Sequence, residues 1–181
     1  KHIRLAKERG ADFIISSHHW GVEFEYYPPK RLVSRAHDLL DAGIDLIIGH
    51  HPHILNPVER YRTSDGREAV VLYSLGNVTT YALITSKQRM GSFAYITLES
   101  GIDVSGKECV RVKDIALKPI YHCIEHTRGG LINRLIPVYD AARALLQGEN
   151  RYGLTSRDQK VILKLFREHQ KYFVQEGITY L

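Results

Sequence analysis

Residues 45–53, Asp45-Leu46-Ile47-Ile48-Gly49-His50-His51-Pro52-His53, carry the fold and the chemistry in one stretch. Leu46 to Ile48 make a short apolar run of the kind found in strands buried on both faces. Upstream, Asp12-Phe13-Ile14-Ile15-Ser16 is a second such run. Between them Leu32, Val33, Ala36, Leu39 and Leu40 fall at helical spacing, so Lys30 to Ala42 is expected to be a helix closed by Gly43. A strand–helix–strand crossover of this length makes the two strands parallel. Ligands of open parallel sheets bind beyond the carboxyl ends of the strands. His18-His19 and His50-His51-Pro52-His53 follow those two ends, so both groups are expected on the same edge of the sheet.

Imidazole is a common ligand for zinc, iron, manganese and related ions. His51 and His53 lie two apart with Pro52 restricting the backbone between them, and residues i and i+2 of an extended segment point the same way. Both rings are therefore expected to face one ion or a pair of ions, with Gly49 letting the chain turn and approach closely. His18 and His50 are weaker candidates, because neighbours along a strand point to opposite sides. His2 and His37 are expected on helix surfaces, and His122, His126 and His169 carry no signal of a site. Glu23 follows His19 by four residues in a loop with Trp20, Phe24, Tyr26 and Tyr27. A carboxylate desolvated among aromatics has a raised pKa suited to acid–base work.

Beyond residue 53 the pattern changes. Val58 to Tyr61 and Ala69 to Ser74 read as strands joined by the turn Thr63-Ser64-Asp65-Gly66. Phe93 to Leu98 and Val110 to Leu117 read as two more, so an antiparallel region is expected beside the parallel unit. Leu131 to Leu146 and Ser156 to Glu176 read as helices, the second with a capping box of Ser156 and Gln159. Val161, Ile162, Leu165, Phe166 and Phe173 give that helix an apolar stripe, expected to pack on the main domain.

The bulk numbers fit one α/β domain with an appendage, taken as residues 1–125 and a helical extension over 126–181. Of 181 residues, 44% are hydrophobic and 25% charged, and no apolar run approaches the roughly 18 needed to span a membrane. The net charge of +5 favours anionic partners. Its Lys and Arg are dispersed rather than clustered, so a solvated basic surface is preferred to nucleic-acid binding. Two cysteines, Cys109 and Cys123, do not form a disulfide framework. Lys1 to Arg9 reads as the end of a helix already under way, so the chain is read as a piece of a longer protein.

Three stretches carry a resemblance: His19-Trp20-Gly21-Val22-Glu23, Asp41 through His53, and Tyr73-Ser74-Leu75-Gly76-Asn77. In order and spacing they resemble the bacterial capsule-synthesis family of CapA, or poly-γ-glutamate synthesis, type, within the calcineurin-like metallophosphoesterase superfamily. The likeness spans residues 12 to about 98. It implies that the chain is the C-terminal part of a four-layer α/β/β/α sandwich with a helical tail, built around a two-metal site. It further implies His19, His51 and His53 as metal ligands, Glu23, Asn77 and His53 as catalytic candidates, and two divalent transition ions (Mn, Fe or Zn) in the full-length protein. A cell-envelope or extracellular setting follows if the parent resembles the family.

The superfamily's first motifs, Asp-x-His, Gly-Asp-x-x-Asp and Gly-Asn-His, do not precede Asp12 in this chain. Without that N-terminal half of the domain the chain alone is expected to bind metal poorly and catalyse little. Two functions stay open at the level of sequence. One is a metal-dependent hydrolase acting on an anionic polymer or phosphoester; the other is a binding or assembly module that grips an anionic capsule or cell-wall polymer without turning it over.

Overall fold

The computed structural model describes residues 1–80, 85–102 and 106–181. Its first sheet is built from β1 (Ile15–His19), β2 (Leu46–His50), β3 (Val58–Arg62) and β4 (Glu68–Leu72), in the order β1-β2-β4-β3. Between β1 and β2 runs helix α2 (Lys30–Asp41), preceded by the short α1 (His2–Glu8). β1 and β2 are parallel with His19 opposite His50, which brings both histidine groups to one sheet edge. The β3–β4 hairpin does not start a separate antiparallel region. β4 lies parallel to β2 in the same sheet, because its apolar run Ala69 to Leu72 is buried on both faces like β2.

The second sheet consists of β5 (Met90–Ile102), β6 (Glu108–Thr127) and β7 (Gly130–Pro137), antiparallel in that order, with β8 (Thr179–Tyr180) pairing parallel to β6. Helices α3 (Val138–Leu146) and α4 (Ser156–Tyr172) follow. The protein is thus a mixed α/β structure of two sheets and flanking helices.

Several expectations change in detail. β1 begins three residues later than read and is exposed in alternation, with Ile15 at 55%, so one of its faces is uncovered rather than both being buried. Leu131 to Pro137 is strand rather than helix. Pro137 cannot lie in a helix interior, and β6 offers a complete ladder from Gly130 to Pro137. The division drawn at residue 125 consequently falls inside β6. The cap of α4 sits one residue early: the Thr155 hydroxyl accepts the Asp158 N–H, while the Gln159 amide turns to the Leu154 carbonyl. Both cysteines are free thiols.

Three apolar clusters hold these parts together. Ala36 and Leu40 of α2 meet Ile47, Ala69, Val71 and Tyr73 on one face of the first sheet. Leu46, Val58, Val70 and Leu72 on its other face meet Val112, Ile115 and Leu117 of β6. Further along β6, Tyr121 and Cys123 pack with Ile136 against Ala141, Ala142, Ile162 and Leu165. The stripe of α4 is therefore core.

Its last turn buries His169 to 1% exposure among the rings of Tyr139, Phe173 and Tyr180, with the Tyr139 hydroxyl 3.1 Å from Nδ1. Burial pushes this imidazole down from 6.5 to about 4. Between those values the unfolded chain holds a proton that the folded chain does not. Stability is then complete above pH 6.5 and falls as pH drops towards 4, by about 3 kcal/mol from this group. Urea unfolding at pH 7 and pH 4 checks this: in His169→Leu the difference between the two pH values should shrink by about that amount.

Candidate metal centre

At the shared sheet edge the chain leaves ordinary backbone conformation. Among the described residues, three that are not glycine have positive φ: Phe24 at 65°, His51 at 102° and His53 at 60°. Such conformations are rare for residues with a Cβ and cost of order 1–3 kcal/mol each. They persist because neighbours over-determine them. The Phe24 N–H donates to the Pro52 carbonyl at 2.9 Å. Asn56, 7% exposed, gives its amide to the carbonyls of Glu25 and Tyr26 and so pins the loop that carries Glu23.

The result gathers Glu23, His51 and His53, with one ligand atom of each within 4.8 Å of the others. Two imidazoles and a carboxylate suit zinc, iron or manganese. Ligands about 2.0–2.2 Å from a shared ion lie at most about 4.4 Å apart, so small rotations of these half-buried and exposed side chains close the set.

Asn77 prepares His53 for this role. Its Nδ2 donates to the carbonyls of His53 and Gln88, both at 3.1 Å. That fixes the amide, and Oδ1 then faces His53 Nδ1 at 2.9 Å as an acceptor. Nδ1 must carry a proton, so in the neutral ring the lone pair lies on Nε2, which is directed at the group, 3.9 Å from Glu23 Oε1. This is the outer-partner arrangement that orients metal-binding histidines. Behind it His122, fully buried, donates from Nε2 to the Asn77 carbonyl at 2.6 Å and lies 3.3 Å through Nδ1 from the Asn133 amide. Burial holds this imidazole below its usual range, and the neighbouring Arg89 adds to the effect. It is neutral support.

Of the residues expected at the site, Glu23, His51, His53 and Asn77 come together. His19 is adjacent, exposed, with its ring 4.6 Å from that of His51. His50 is exposed, and His18 turns the other way, stacked on Trp20 and 2.9 Å from the Ser16 hydroxyl. Three readings are corrected. Glu23 is exposed rather than enclosed by the loop aromatics, because Tyr26 turns away to Phe173 and the Glu168 carboxylate. Gly49 lies buried within β2 and makes its close approach to protein, since a Cβ there would stand 2.1 Å from the Tyr73 carbonyl and 2.5 Å from Trp20 Nε1. His37 is half-buried, stacked on Tyr61 and bonded to Glu59, rather than a free surface residue. Asn56 and His122 were missed. Asn56 left a signal, a polar residue between the apolar Ile54-Leu55 and Pro57-Val58 pairs, and His122 left the same kind between Ile120-Tyr121 and Cys123-Ile124.

If Asn77 sets the tautomer, Asn77→Ala should weaken divalent-metal affinity about 10–100-fold with both histidines intact. Titration calorimetry checks it, and an unchanged affinity would remove Asn77 from the site.

Residues 1–81 match the family described as bacterial capsule synthesis protein. The chain is 27% identical over 164 residues to the capsule biosynthesis protein CapA of Bacillus anthracis, covering 90% of this chain and 36% of that protein. It is 41% identical over 70 residues to the PGA biosynthesis protein CapA of Bacillus subtilis, covering 39% of this chain and 17% of the relative. A probable polyglutamine synthesis accessory protein of Mycobacterium tuberculosis is 40% identical over 74 residues, covering 41% and 18%. The chain thus spans little more than a third of the length of the longest match and under a fifth of the others.

Proposed function

We propose, for a chain whose residues 1–81 belong to the bacterial capsule synthesis family, that it forms part of a metal-dependent hydrolase-like centre acting in capsule or polyglutamate biosynthesis. The observation that carries the reading is the Asn77–His53 pair, which keeps a proton on Nδ1 and aims Nε2 at Glu23 beside a strained His51.

His51, His53 and Glu23 would hold the ion, with His19 placed to serve a second one. An ion so held supplies Lewis-acid polarisation of a substrate oxygen. The rest of the chemistry belongs to the chain. Asn77 keeps the His53 proton on Nδ1, His122 keeps Asn77 in place, and the Asn56 clamp holds Glu23 at the mouth, where its carboxylate can orient a substrate proton. The +5 charge favours a polyanionic substrate. Two sheets packed face to face with α2 outside the first support a reading as the C-terminal part of a four-layer metallophosphoesterase sandwich. Phe93 and Tyr95, exposed by 39% and 52% on the far face of the second sheet, leave a surface for the outer layer.

A binding module is the second reading. Glu23 is the one carboxylate that the described residues bring to the group, whereas a two-ion centre needs bridging carboxylates.

Elemental mass spectrometry and turnover assays on the native full-length protein decide between them. About two transition ions per chain, with metal-dependent cleavage of a phosphodiester or of poly-γ-glutamate, is the expected result. A protein that stays empty after loading with Mn, Fe and Zn would sink the hydrolase, and polymer binding without metal would then establish the module.

A further inference from the structure

Away from the histidine group, a cleft of about 370 Å³ opens between the 3-10 turn Ser86–Arg89, the β6–β7 hairpin and the start of α4. That volume is within the range of ligand pockets. Three basic side chains line it, Arg89, His126 and Arg157, together with the aliphatic Ile124 and Leu131. None of the three pairs with a carboxylate among the described residues. Asp158 also lines the cleft, but both of its oxygens are taken, one by the Tyr121 hydroxyl and one by the Thr155 hydroxyl. The opening therefore presents two guanidinium groups and the His126 ring against one carboxylate whose oxygens are already hydrogen-bonded.

Arg89 ties the cleft to the centre above. Its Nη1 donates to the His122 carbonyl at 3.2 Å, His122 donates to the Asn77 carbonyl, and Asn77 orients His53. Gln88, next in sequence to Arg89, accepts from the Asn77 amide. One turn of chain thus faces the two places at once. Guanidinium groups beside apolar walls suit a flexible chain that bears carboxylates on methylene units, since the forks take carboxylate oxygens and the aliphatic side chains take the methylenes.

We propose that this cleft is a subsite for carboxylates of an aliphatic polyanion whose chain continues to the histidine group. The inference rests on the polymer reading given above and extends it to a second contact region. It assigns Arg157 and Arg89 as the recognising groups, with His126 at the rim.

The test uses Arg157→Glu in the full-length protein. Arg157 is exposed in the first turn of α4, where a glutamate suits the helix dipole, so the fold is not threatened. Arg31→Glu, the same change in the first turn of α2, is the control for net charge. Binding of a fluorescent decamer of γ-linked glutamate is read by anisotropy without metal, with inorganic polyphosphate as a second probe. Arg157→Glu should weaken the glutamate chain about 10-fold or more, and Arg31→Glu less than about 2-fold. Equal loss in Arg157→Glu and Arg31→Glu, no loss in Arg157→Glu, or wild-type binding of polyphosphate alone would each overturn the subsite. Failure of the hydrolase reading shows separately, as a full-length protein that takes up no metal while Arg157→Glu still weakens the polymer.

Discussion

Replacing His51 and His53 together with alanine is expected to lower divalent-metal affinity by more than about 100-fold. The double variant removes two donors of a three-residue group, and loss of a single outer partner already costs about 10–100-fold. Alanine keeps the Cβ at both positions, so the strain at φ 102° and 60° remains and stability should change little. A glycine replacement separates the two effects. At His51 glycine tolerates the positive φ, relieving strain of roughly 1–3 kcal/mol against an entropic cost of about 0.5–1 kcal/mol. His51→Gly should therefore melt higher than the parent while binding metal worse. That combination would identify the strain as serving the site. A variant both less stable and unchanged in metal affinity would instead mark His51 as structural, and the centre would lose its best ligand.

The second large effect lies one strand away. A Cβ on Gly91 would stand 1.9 Å from the Asn77 carbonyl, where backbone meets backbone across an isolated bridge from Gly76 to Gly91. No rotamer relieves that contact, so Gly91→Ala must push Asn77 away. The displaced carbonyl is the one that accepts from buried His122, and the attached amide is the one that orients His53. Overpacking of this kind costs about 1–3 kcal/mol, which in a chain of this size lowers the melting temperature by roughly 2–12 °C. Metal affinity should fall alongside, although Gly91 carries no donor. Gly101→Ala is the control: it sits in the same strand with open space around it and should be within about 0.5 kcal/mol of the parent. A Gly91→Ala protein that melts normally and binds metal normally would show that Asn77 can move freely.

How the site is assembled explains why part of it could be read early. Glu23, His51, His53 and Asn77 each follow or end a strand of one sheet, so the rule that ligands gather at strand ends brings them to one edge. Their roles were less accessible. Nothing in the sequence says that Asn77 spends its amide on two carbonyls and so dictates which nitrogen of His53 is free. His122 sits in the last third of a 20-residue strand and reads as one polar residue among apolar ones. Its partners lie 45 residues upstream and 11 downstream, and they meet only because β5, β6 and β7 align.

The same contrast holds for the fold. Apolar runs of fixed period determined β2, β4, α2 and α4, because burial on both faces or along one stripe is a local property of the side chains. Local pattern could not decide residues 131–137, where apolar content suits helix or strand. The waiting edge of β6 selects strand, and Pro137 forbids the helix that would compete. Nor could it place β4 beside β2, since strand pairing depends on which edges remain open once the crossover has closed. Sequence alone determined which residues this protein brings to its sheet edge. Tertiary structure decided their geometry, since positive φ at His51 and His53, the orientation of Asn77 and the burial of His122 all depend on contacts with residues distant in the chain.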